Sequence, residues 1–359
     1  MKLDLKNRAK DYKRPFLIAG PCSVESEEQM IQMAEGLAED GRTALLRGGI
    51  WKPRTRPDSF EGLGQKALPW LINAGKSTGL PVTTEVANAK HVELALKAGV
   101  DVLWIGARTT VNPFTVQEIA DAISGTDITV MVKNPVNPDL MLWMGALERF
   151  AKAGIDDLIA IHRGFSVYNH PKYRNVPSWE IPIALIEKMP EIPIICDPSH
   201  ISGKREGLLH VSQKAMDLNF AGLMIETHPT PDSAWSDPMQ QVTPEELFAI
   251  IDQLVLRTET ISEEAEDFID LMRAKIAAQD DKLFELLSHR MKLAEEVGIY
   301  KRENDITILQ QEHWRSIIEN RLQQSDEFHL THEFVRSLMD AIHQESIRHQ
   351  TKVMNPSLK

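Results

Sequence analysis

The chain has 359 residues, of which 42% are hydrophobic and 26% are charged, and its formal net charge is -12. This length predicts one large domain and a second one, and the acidic balance argues against general nucleic-acid binding, because a polyanion would meet a repulsive field. Two cysteines cannot build a disulfide framework, no leader-like segment opens the chain, and no apolar run reaches membrane-spanning length. We therefore expect a cytoplasmic protein without a membrane role.

Eight short apolar runs alternate with amphipathic segments between Phe16 and about Leu256. In chain order they are FLIAGPC, TALLRGG, LPVTTEV, VLWIGA, ITVMVKN, LIAIHRG, IPIICDPSH and GLMIETH. Each run has the length of a strand and the near-continuous hydrophobicity that burial on both faces demands, and room for a helix follows it. Eight βα units in about 240 residues predict a (β/α)8 TIM barrel, whose chemistry lies at the carboxyl ends of its strands.

A polar side chain stands at or just after the end of every predicted strand. These residues are Cys22, Arg47, Glu85, Arg108, Lys133, Arg163, His200 and Glu226. Cys22, His200 and Glu226, with the later Asp237, offer the sulfur, nitrogen and oxygen ligands that suit a divalent transition metal. Cys196 lies inside an apolar run, so we expect it to be a buried structural residue.

The strand-end cations form a second group at the same predicted mouth, together with Lys52 and Arg54. Arginine binds oxyanions with a planar fork, and lysine offers a point charge that can also move a proton. In a chain that is acidic overall, this concentration of positive charge predicts a ligand with several phosphate or carboxylate groups.

The motifs around these residues closely resemble those of one enzyme family. GPCSVES, RGGIWKPRTRPDSFEGLG, IGARTT, VKNP, DPSH and MIETHPTPDSAWSDPMQQ are similar to segments of 3-deoxy-D-arabino-heptulosonate 7-phosphate (DAHP) synthase of the type Iβ kind. The family catalyses the first step of aromatic amino-acid biosynthesis, and the resemblance covers the whole predicted barrel. It implies that Cys22, His200, Glu226 and Asp237 bind a divalent metal ion such as Mn, Co, Fe or Zn.

The same resemblance implies two substrates. Phosphoenolpyruvate would be held by Arg47, Lys52, Glu85, Arg108, Lys133 and Arg163. Arg54 and Thr55 of KPRT would hold the phosphate of erythrose 4-phosphate, and Lys52 is the candidate catalytic residue of the barrel. The metal would polarise the aldehyde oxygen, C3 of phosphoenolpyruvate would attack, and water would add at C2 before phosphate leaves. The nearest alternative is a related barrel synthase that uses arabinose 5-phosphate or N-acetylmannosamine, and KPRT speaks against it.

The sequence changes character near Ile261, where strands stop and glycine and proline become rare. We predict a barrel domain over 1–258 and an all-α domain over 259–359, with a linker over about 256–264. Three helices are expected over Glu263–Lys301, about Gln311–Gln324 and Thr331–Val353. Only a short segment precedes the first strand, so any regulation of the barrel is expected to come from the helical domain.

The first predicted helix carries Arg273, Arg290 and Lys301 on one apolar stripe. A lone polar residue in a coiled-coil seam can set register, but three long cations are costly there unless an anion meets them. A rise of about 1.5 Å per residue separates Arg273 from Arg290 by about 26 Å and Arg290 from Lys301 by about 16 Å. One small ligand can bridge only the second pair, so we expect Arg273 to serve the pocket of a partner in an antiparallel homodimer.

The helical pattern LMRAKIAAQDDKLFELLSHRMKLAEEVGIYK, with ESIRHQ near the end, is similar to the all-helical chorismate mutases, whose dimers exchange an arginine in this way. The similarity implies a three-helix domain that rearranges chorismate to prephenate. The residues implied for the ligand are Arg273 of the other subunit, Arg290, Lys301, His313, Ser346 and Gln350. Arg290, Lys301 and Gln350 are the catalytic candidates, because the pericyclic reaction needs bound carboxylates and donors on the ether oxygen.

One loop of the helical domain departs from the mutase pattern. In ILQQEHWRSII, His313 stands where these mutases usually place an arginine, and Trp314 replaces a glutamate. A shift of register would make Arg315 the relevant cation instead.

Two roles stay open for the helical domain. As a mutase it would also be placed to sense prephenate and inhibit the barrel, and as a non-catalytic dimerising sensor it would bind the same ligand without turnover. The sequence leaves open whether dimers pair into tetramers.

Overall fold

Eight parallel strands close into a barrel in the order of the sequence, β1 to β8. Their bounds are β1 Phe16–Gly20, β2 Thr43–Arg47, β3 Val82–Val86, β4 Val102–Ile105, β5 Thr129–Lys133, β6 Leu158–His162, β7 Ile194–Cys196 and β8 Gly222–Glu226. The barrel closes where β1 pairs with β8, with Ile18 opposite Met224 and Gly20 opposite Glu226. Each predicted apolar run contains one of these strands, which confirms the predicted (β/α)8 fold.

Helices follow the strands along the chain. Their bounds are α1 Glu27–Glu39, α2 Leu68–Thr78, α3 Ala89–Ala98, α4 Ala107–Thr110, α5 Pro113–Ile123, α6 Leu140–Lys152, α7 Glu180–Lys188, α8 Pro198–Ser202, α9 Leu208–Asp217 and α10 Pro244–Asp252. Short 3₁₀ turns lie at Gly64–Ala67, Arg205–Gly207, Pro231–Ser233 and Pro238–Gln240. The short helices α4 and α8 begin directly after β4 and β7, so they carry polar residues beside the strand ends.

Two apolar cores hold the barrel together, because successive side chains of a strand point to opposite faces. Phe16 and Ile18 of β1 belong to the inner core, with Trp104 and Met131. Leu17 of β1 belongs instead to the larger core between strands and helices. The lumen is therefore filled by large side chains, and room for ligands is left at the mouth of the barrel.

The C-terminal region is all-helical. Its helices are α11 Glu263–Glu303, α12 Gln311–Gln324 and α13 His332–Met354, which confirms the three predicted helices to within two residues at each end. Large apolar side chains of α11 stay exposed, namely Phe268, Leu271, Ile276, Leu283, Phe284, Leu286, Leu293 and Val297. Packing within one chain thus covers only part of this helix.

The computed structural model describes residues 15–53, 60–168, 170–257 and 263–356, without the side chains of residues 263, 264, 311 and 313. The chain divides into two compact units, Met1–Glu259 and Thr260–Lys359. Among the described helices, none combines the length and the apolarity that crossing a membrane requires.

Candidate active sites

A thiol and two carboxylates meet at the ends of β1 and β8. The ligand atoms of Cys22, Glu226 and Asp237 all lie within 4.8 Å of one another. Cys22 Sγ donates a hydrogen bond to Asp237 Oδ2 at 3.2 Å, and Cys22 and Glu226 are fully buried. Gly20 has φ +141° and a Cβ on it would lie 2.0 Å from the Arg47 carbonyl oxygen, so only glycine lets β1 lead into the Cys22 loop this closely.

His200 lies beside this cluster on α8. Asp197 caps α8, accepting a hydrogen bond from the His200 backbone N–H at 3.1 Å, and its carboxylate lies 2.8 Å from His200 Nδ1. The Nε2 atom lies 3.7 Å from Glu226 Oε1, although His200 falls outside the set within 4.8 Å. A histidine whose Nδ1 faces a carboxylate presents Nε2 as the free ligand atom, which is the usual arrangement beside a bound metal.

Lys52 joins the thiol to the cations of the mouth. Its Nζ donates to Cys22 Sγ and to the Cys22 carbonyl oxygen, both at 3.0 Å. Burial, reinforced by the charge of Glu226, raises the pKa of the Cys22 thiol to about 12. Burial works against the charge of Lys52, but the neighbouring Cys22 and Glu226 raise its pKa above the ordinary value. The Cys22 thiol therefore keeps its proton unless a stronger positive charge, such as a metal ion, takes the place of that proton.

Both carboxylates of the cluster are held in the charged form. Burial alone would raise the pKa of Glu226, but His200 and Arg47 hold it at about 2. The pKa of Asp237 lies well below its usual range, because Arg174 and His200 outweigh burial. A buried and a half-buried carboxylate, a thiol and an imidazole fit a divalent transition metal by charge and by donor type.

Arg47 connects the carboxylates to the anion-binding half of the mouth. Its side chain is 1% exposed, and Nη2 donates to Glu226 Oε1 at 2.9 Å. The guanidinium lies over the Trp104 ring at 4.9 Å from the centroid. Its Nε and Nη1 atoms are buried without a hydrogen-bond partner among the described residues. Unpaired buried donors are costly, so these two nitrogens indicate the position of an anionic ligand.

Two further cations lie at the neighbouring strand ends. Lys133 is buried, and its Nζ donates to Asp197 Oδ2 at 2.8 Å. Arg163 is buried as well, and its Nη1 donates to Asn175 Oδ1 at 2.6 Å. Burial lowers the pKa of Arg163 to about 10, which leaves it charged at neutral pH.

The remaining predicted barrel residues differ in exposure. Glu85 is buried and accepts a hydrogen bond from Trp104 Nε1 at 3.0 Å. Arg108 on α4 is exposed and has no ion pair or side-chain hydrogen bond with the described residues. The predicted phosphate-binding residues Arg54 and Thr55 lie outside the described residues, so their assignment stays a prediction.

Three residues of the mouth were missed by the sequence analysis. Asp197 belongs to the quoted motif DPSH, but only its histidine was assigned a role. Arg174 lies in the loop between β6 and α7, and its Nη1 donates to Asp237 Oδ1 at 3.0 Å and to Gln240 Oε1 at 2.6 Å. Gln240 is buried and donates to Glu226 Oε2 at 2.6 Å. Position just after a strand could have marked Asp197, and Gln240 belongs to the quoted motif MIETHPTPDSAWSDPMQQ, whereas nothing local distinguishes Arg174.

A second candidate site is a cavity of about 320 Å³ in the helical unit. Its polar lining includes Arg290, Lys301, Ser346 and Gln350, and most of the remaining lining is apolar. Arg290 Nη1 donates to Ser346 Oγ at 2.5 Å, and Lys301 Nζ donates to the Ile308 carbonyl oxygen at 2.6 Å. Gln350 Oε1 is buried without a hydrogen-bond partner among the described residues. This cavity therefore presents two cations with no ion pair in the described part of the unit.

One wall of the cavity is aromatic. Trp314 stacks on His343 with ring centroids 3.7 Å apart and planes 10° apart, and both residues line the cavity. Arg315 is exposed and does not line the cavity, so the register shift that would make it the relevant cation receives no support. The side chain of His313 lies outside the described part of the chain.

Arg273 lies far from this cavity along α11. Its side chain is 71% exposed, and Nη1 donates to Asp270 Oδ1 at 2.9 Å. The described residues of one chain thus bring together Arg290, Lys301, Ser346 and Gln350, but not Arg273.

Comparison with known proteins identifies both units. Residues 6–263 match the DAHP synthetase I family, and residues 272–351 match chorismate mutase type II. A phospho-2-dehydro-3-deoxyheptonate aldolase of Thermotoga maritima is 32% identical over 226 residues, which are 63% of this chain and 64% of that protein. A 2-dehydro-3-deoxyphosphooctonate aldolase of Azoarcus is 29% identical over 239 residues, covering 62% of this chain and 83% of the relative.

Solved structures give the same result for the fold. A crystal structure of the Thermotoga maritima DAHP synthase superposes with a TM-score of 0.60 at 29% identity, covering 72% of this chain and 70% of that one. A truncated form of the Thermotoga enzyme superposes with a TM-score of 0.58 at 26% identity, covering 72% and 88%. The chain belongs to the DAHP synthetase I family and carries a chorismate mutase type II domain after its barrel.

Proposed function

We propose that the barrel condenses phosphoenolpyruvate with erythrose 4-phosphate to give DAHP and phosphate. The observation that carries this proposal is Arg47, a buried arginine that touches the thiol and carboxylate cluster through Glu226 and has two nitrogens without a partner among the described residues. It stands between a cluster suited to a metal and a group of cations suited to a phosphate and carboxylate. A metal site beside an anion site suits a reaction between an enol phosphate and an aldehyde.

Cys22, Glu226 and Asp237 lie within 4.8 Å of one another and His200 Nε2 lies 3.7 Å from Glu226, so these four residues would hold the ion. When bound, a divalent metal supplies Lewis-acid polarisation of an aldehyde oxygen. Lys52, whose Nζ lies 3.0 Å from the Cys22 sulfur, would give a proton to that oxygen as C3 of phosphoenolpyruvate forms the new bond to the aldehyde carbon. Water then adds at C2, and phosphate leaves from the same carbon.

The cations of the mouth bind and orient phosphoenolpyruvate in this proposal. Arg47, Lys133 and Arg163 are buried, so their charges act in a medium of low dielectric and hold the anion rigidly. Arg108 is exposed and would close over the ligand from the outer side, with Glu85 on the inner side. Arg54 and Thr55 are proposed to select erythrose 4-phosphate.

The test is a coupled assay of phosphate release from phosphoenolpyruvate, run with erythrose 4-phosphate and separately with arabinose 5-phosphate. Arabinose 5-phosphate is included because phosphooctonate aldolases are among the relatives at 28–30% identity. We expect turnover with the four-carbon sugar phosphate, its loss after treatment with chelator, and its return with Mn²⁺ or Co²⁺. Turnover only with arabinose 5-phosphate would contradict the proposal, as would full turnover after the metal has been removed.

We also propose that the helical unit converts chorismate to prephenate. The supporting observation is the cavity in which Lys301 and Gln350 converge beside Arg290, with neither cation in an ion pair among the described residues. Arg290 and a second arginine would hold the two carboxylates, while Lys301 and Gln350 would face the ether oxygen as negative charge develops there. The full chain should consume chorismate, measured as a loss of its absorbance. The Lys301→Ala variant should not consume it.

The mutase site is proposed to form only in a homodimer. Arg273 is exposed at a distance from its own cavity, and α11 leaves a row of apolar side chains uncovered. Antiparallel pairing of two α11 helices would cover these side chains and deliver Arg273 to the other subunit's cavity. The molecular mass in solution distinguishes such a dimer from a tetramer built of two dimers.

We finally propose that prephenate inhibits the barrel by occupying the helical cavity. Both units act on one pathway, so occupancy of the second site reports pathway output. Such a coupling typically amounts to about 1–3 kcal/mol and is reciprocal for binding. The test is the synthase rate against prephenate concentration, repeated in Arg290→Ala, which should lose the mutase activity and the inhibition together. A synthase rate that does not respond to prephenate would contradict this role.

A further inference from the structure

The segment that follows β6 is tied back to the mouth of the barrel by a single antiparallel bridge. Phe165 and Val176 form an antiparallel bridge, with each backbone N–H donating to the other's carbonyl oxygen at 2.8 Å. The bridge brings Arg174 and Asn175 alongside α8, the short helix that carries His200. These two consecutive residues, called here the 174–175 strap, make contacts to several parts of the site.

The backbone of the strap is bound to the end of α8. Arg174 N–H donates to the Ser202 carbonyl oxygen at 3.3 Å, and Asn175 N–H donates to that of Ile201 at 3.2 Å. The α8 helix ends at Gly203, which has φ +70°, and a Cβ there would lie 2.6 Å from Arg174 Cβ. Glycine thus permits both the left-handed turn and the close passage of the strap over the helix.

The side chain of Arg174 reaches the two carboxylates of the cluster. It donates to Asp237 Oδ1 at 3.0 Å, while Oδ2 of the same carboxylate faces Cys22 Sγ at 3.2 Å. Through Gln240, which it contacts at 2.6 Å, it also reaches Glu226 Oε2. Asp237 has φ +48°, in the left-handed region that Asp adopts more readily than most residues other than glycine.

The side chain of Asn175 reaches the other half of the site. Its Oδ1 accepts a hydrogen bond from Arg163 Nη1, and its Nδ2 donates to the His200 carbonyl oxygen, both at 2.6 Å. Asn175 is buried, so these two contacts satisfy both ends of its amide. One dipeptide thereby touches the His200 helix, Asp237 and Arg163.

We propose that the 174–175 strap is the positioning element of the barrel site, with Arg174 orienting the metal ligands Asp237 and Glu226 and Asn175 orienting the substrate cation Arg163. This rests on the proposed function, because it takes the cluster as the metal site and Arg163 as a contact of phosphoenolpyruvate. Groups that hydrogen-bond to metal ligands typically change metal affinity by about tenfold to a hundredfold when they are removed. The strap is a positioning element because its side chains act through Asp237, Gln240 and Arg163.

The test for Arg174 is the affinity of the metal-stripped full chain for Mn²⁺, measured by calorimetry in wild type, Arg174→Gln and Arg174→Lys. We expect Arg174→Gln to bind Mn²⁺ about tenfold to a hundredfold more weakly and Arg174→Lys to recover part of the loss. The matched control is Arg42→Gln, which removes another arginine held by two carboxylates, Asp40 and Asp252, at the start of β2. Arg42→Gln should bind Mn²⁺ as wild type does.

The test for Asn175 is the Michaelis constant for phosphoenolpyruvate in Asn175→Ala. We expect this constant to rise about tenfold while the constant for erythrose 4-phosphate changes little. Losing a hydrogen bond to a charged group weakens binding by roughly this factor. Arg174→Gln should leave the constant for phosphoenolpyruvate nearly unchanged when Mn²⁺ is saturating. The two variants would therefore separate the two halves of the site.

Several outcomes would contradict the proposed positioning role of the 174–175 strap. Equal Mn²⁺ affinity in wild type and Arg174→Gln would do so while leaving the proposed function intact. So would a fall in the melting temperature of metal-free Arg174→Gln large enough to account for its weaker binding, because the loop would then be merely structural. If the wild-type protein itself binds no Mn²⁺, both the positioning role of the strap and the metal-dependent synthase function are wrong.

Discussion

The barrel mouth and the helical cavity differ in how completely one chain builds them. At the barrel mouth Cys22, Glu226 and Arg47 are at most 1% exposed, and every strand delivers a residue to the same rim. At the helical cavity Arg290 and Lys301 face a space from one side, and Arg273 remains 71% exposed elsewhere. The barrel brings its described candidate residues together within one chain, whereas the helical site is proposed to need Arg273 of a partner.

The two sites also differ in charge balance. At the mouth two of the buried cations pair with anions of the same chain, Arg47 with Glu226 and Lys133 with Asp197. In the cavity Arg290 donates to Ser346 and Lys301 donates to the Ile308 carbonyl, both neutral oxygens, and neither cation forms an ion pair with the described residues. A balanced site suits a metal cation together with an anionic substrate, while an unbalanced positive cavity suits a dicarboxylate alone.

The largest expected effect comes from Cys22→Ser, which should break the barrel site and spare the cavity. A hydroxyl cannot replace a thiolate as a soft ligand, so we expect synthase turnover to fall by at least about a thousandfold at any Mn²⁺ concentration tested. Chorismate consumption by the same preparation is the internal control. Synthase activity at the wild-type level in metal-stripped buffer would contradict the ligand assignment.

Gln350→Ala should have the opposite effect, with mutase activity lost and synthase activity retained. Loss of a donor aimed at developing charge typically costs about a hundredfold to a thousandfold in rate. We expect the turnover number for chorismate to fall by this factor while synthase turnover without prephenate is retained. A variant that still rearranges chorismate at the wild-type rate would leave the helical unit as a binding domain.

Mixing two inactive variants tests whether the cavity is shared between subunits. Arg273→Ala and Arg290→Ala should each lose mutase activity, but a heterodimer would contain one cavity with both arginines intact. Random exchange would then restore about a quarter of the wild-type activity per chain, since half the dimers are mixed and each has one working site. No recovery after denaturation and joint refolding, with wild type recovering in parallel, would contradict the exchange of Arg273.

Arg108→Ala should have a smaller effect, limited to one substrate of the barrel. Because Arg108 is exposed, its removal creates no buried unpaired group in the fold. Loss of a charged contact costs about 1.5–3 kcal/mol, so we expect the Michaelis constant for phosphoenolpyruvate to rise about tenfold or more. Equal increases for phosphoenolpyruvate and erythrose 4-phosphate would contradict the division of the mouth into two substrate regions.

The smallest effect concerns the stability of the barrel in acid. His162 is fully buried among Trp143, Phe165, Trp179 and Phe220, and burial, with the nearby Arg163 adding to it, lowers its pKa from 6.5 to about 3. Between these values the unfolded chain binds a proton that the folded chain does not, so stability is lost as pH falls below 6.5. The contribution is about 1.4 kcal/mol per pH unit.

Urea unfolding at several pH values between 7 and 4.5 measures this slope. His162→Phe keeps an aromatic ring in the cluster and should flatten the dependence by the amount expected for one group. A slope that is identical in the two proteins would show that other groups carry the acid sensitivity.

The sequence alone predicted the barrel strands because a strand buried on both faces needs a continuous apolar run, a local property that survives without knowledge of the fold. It also predicted the position of the site, since the end of each run in a parallel barrel lies on one rim. The helical region was predicted equally well, because α11 to α13 contain few glycines and prolines and follow a helical period. These inferences needed only residues near one another in the chain.

Tertiary structure decided the contacts between residues far apart in sequence. Arg174 and Asp237 are 63 positions apart, and Gln240 meets Glu226 only because a 3₁₀ turn folds back over β8. Nothing in the composition of the loop after β6 distinguishes Arg174 from any surface arginine, because its role comes from the Phe165–Val176 bridge and the glycine that ends α8. Strand ends are fixed by local hydrophobicity, whereas loop contacts depend on where distant segments meet.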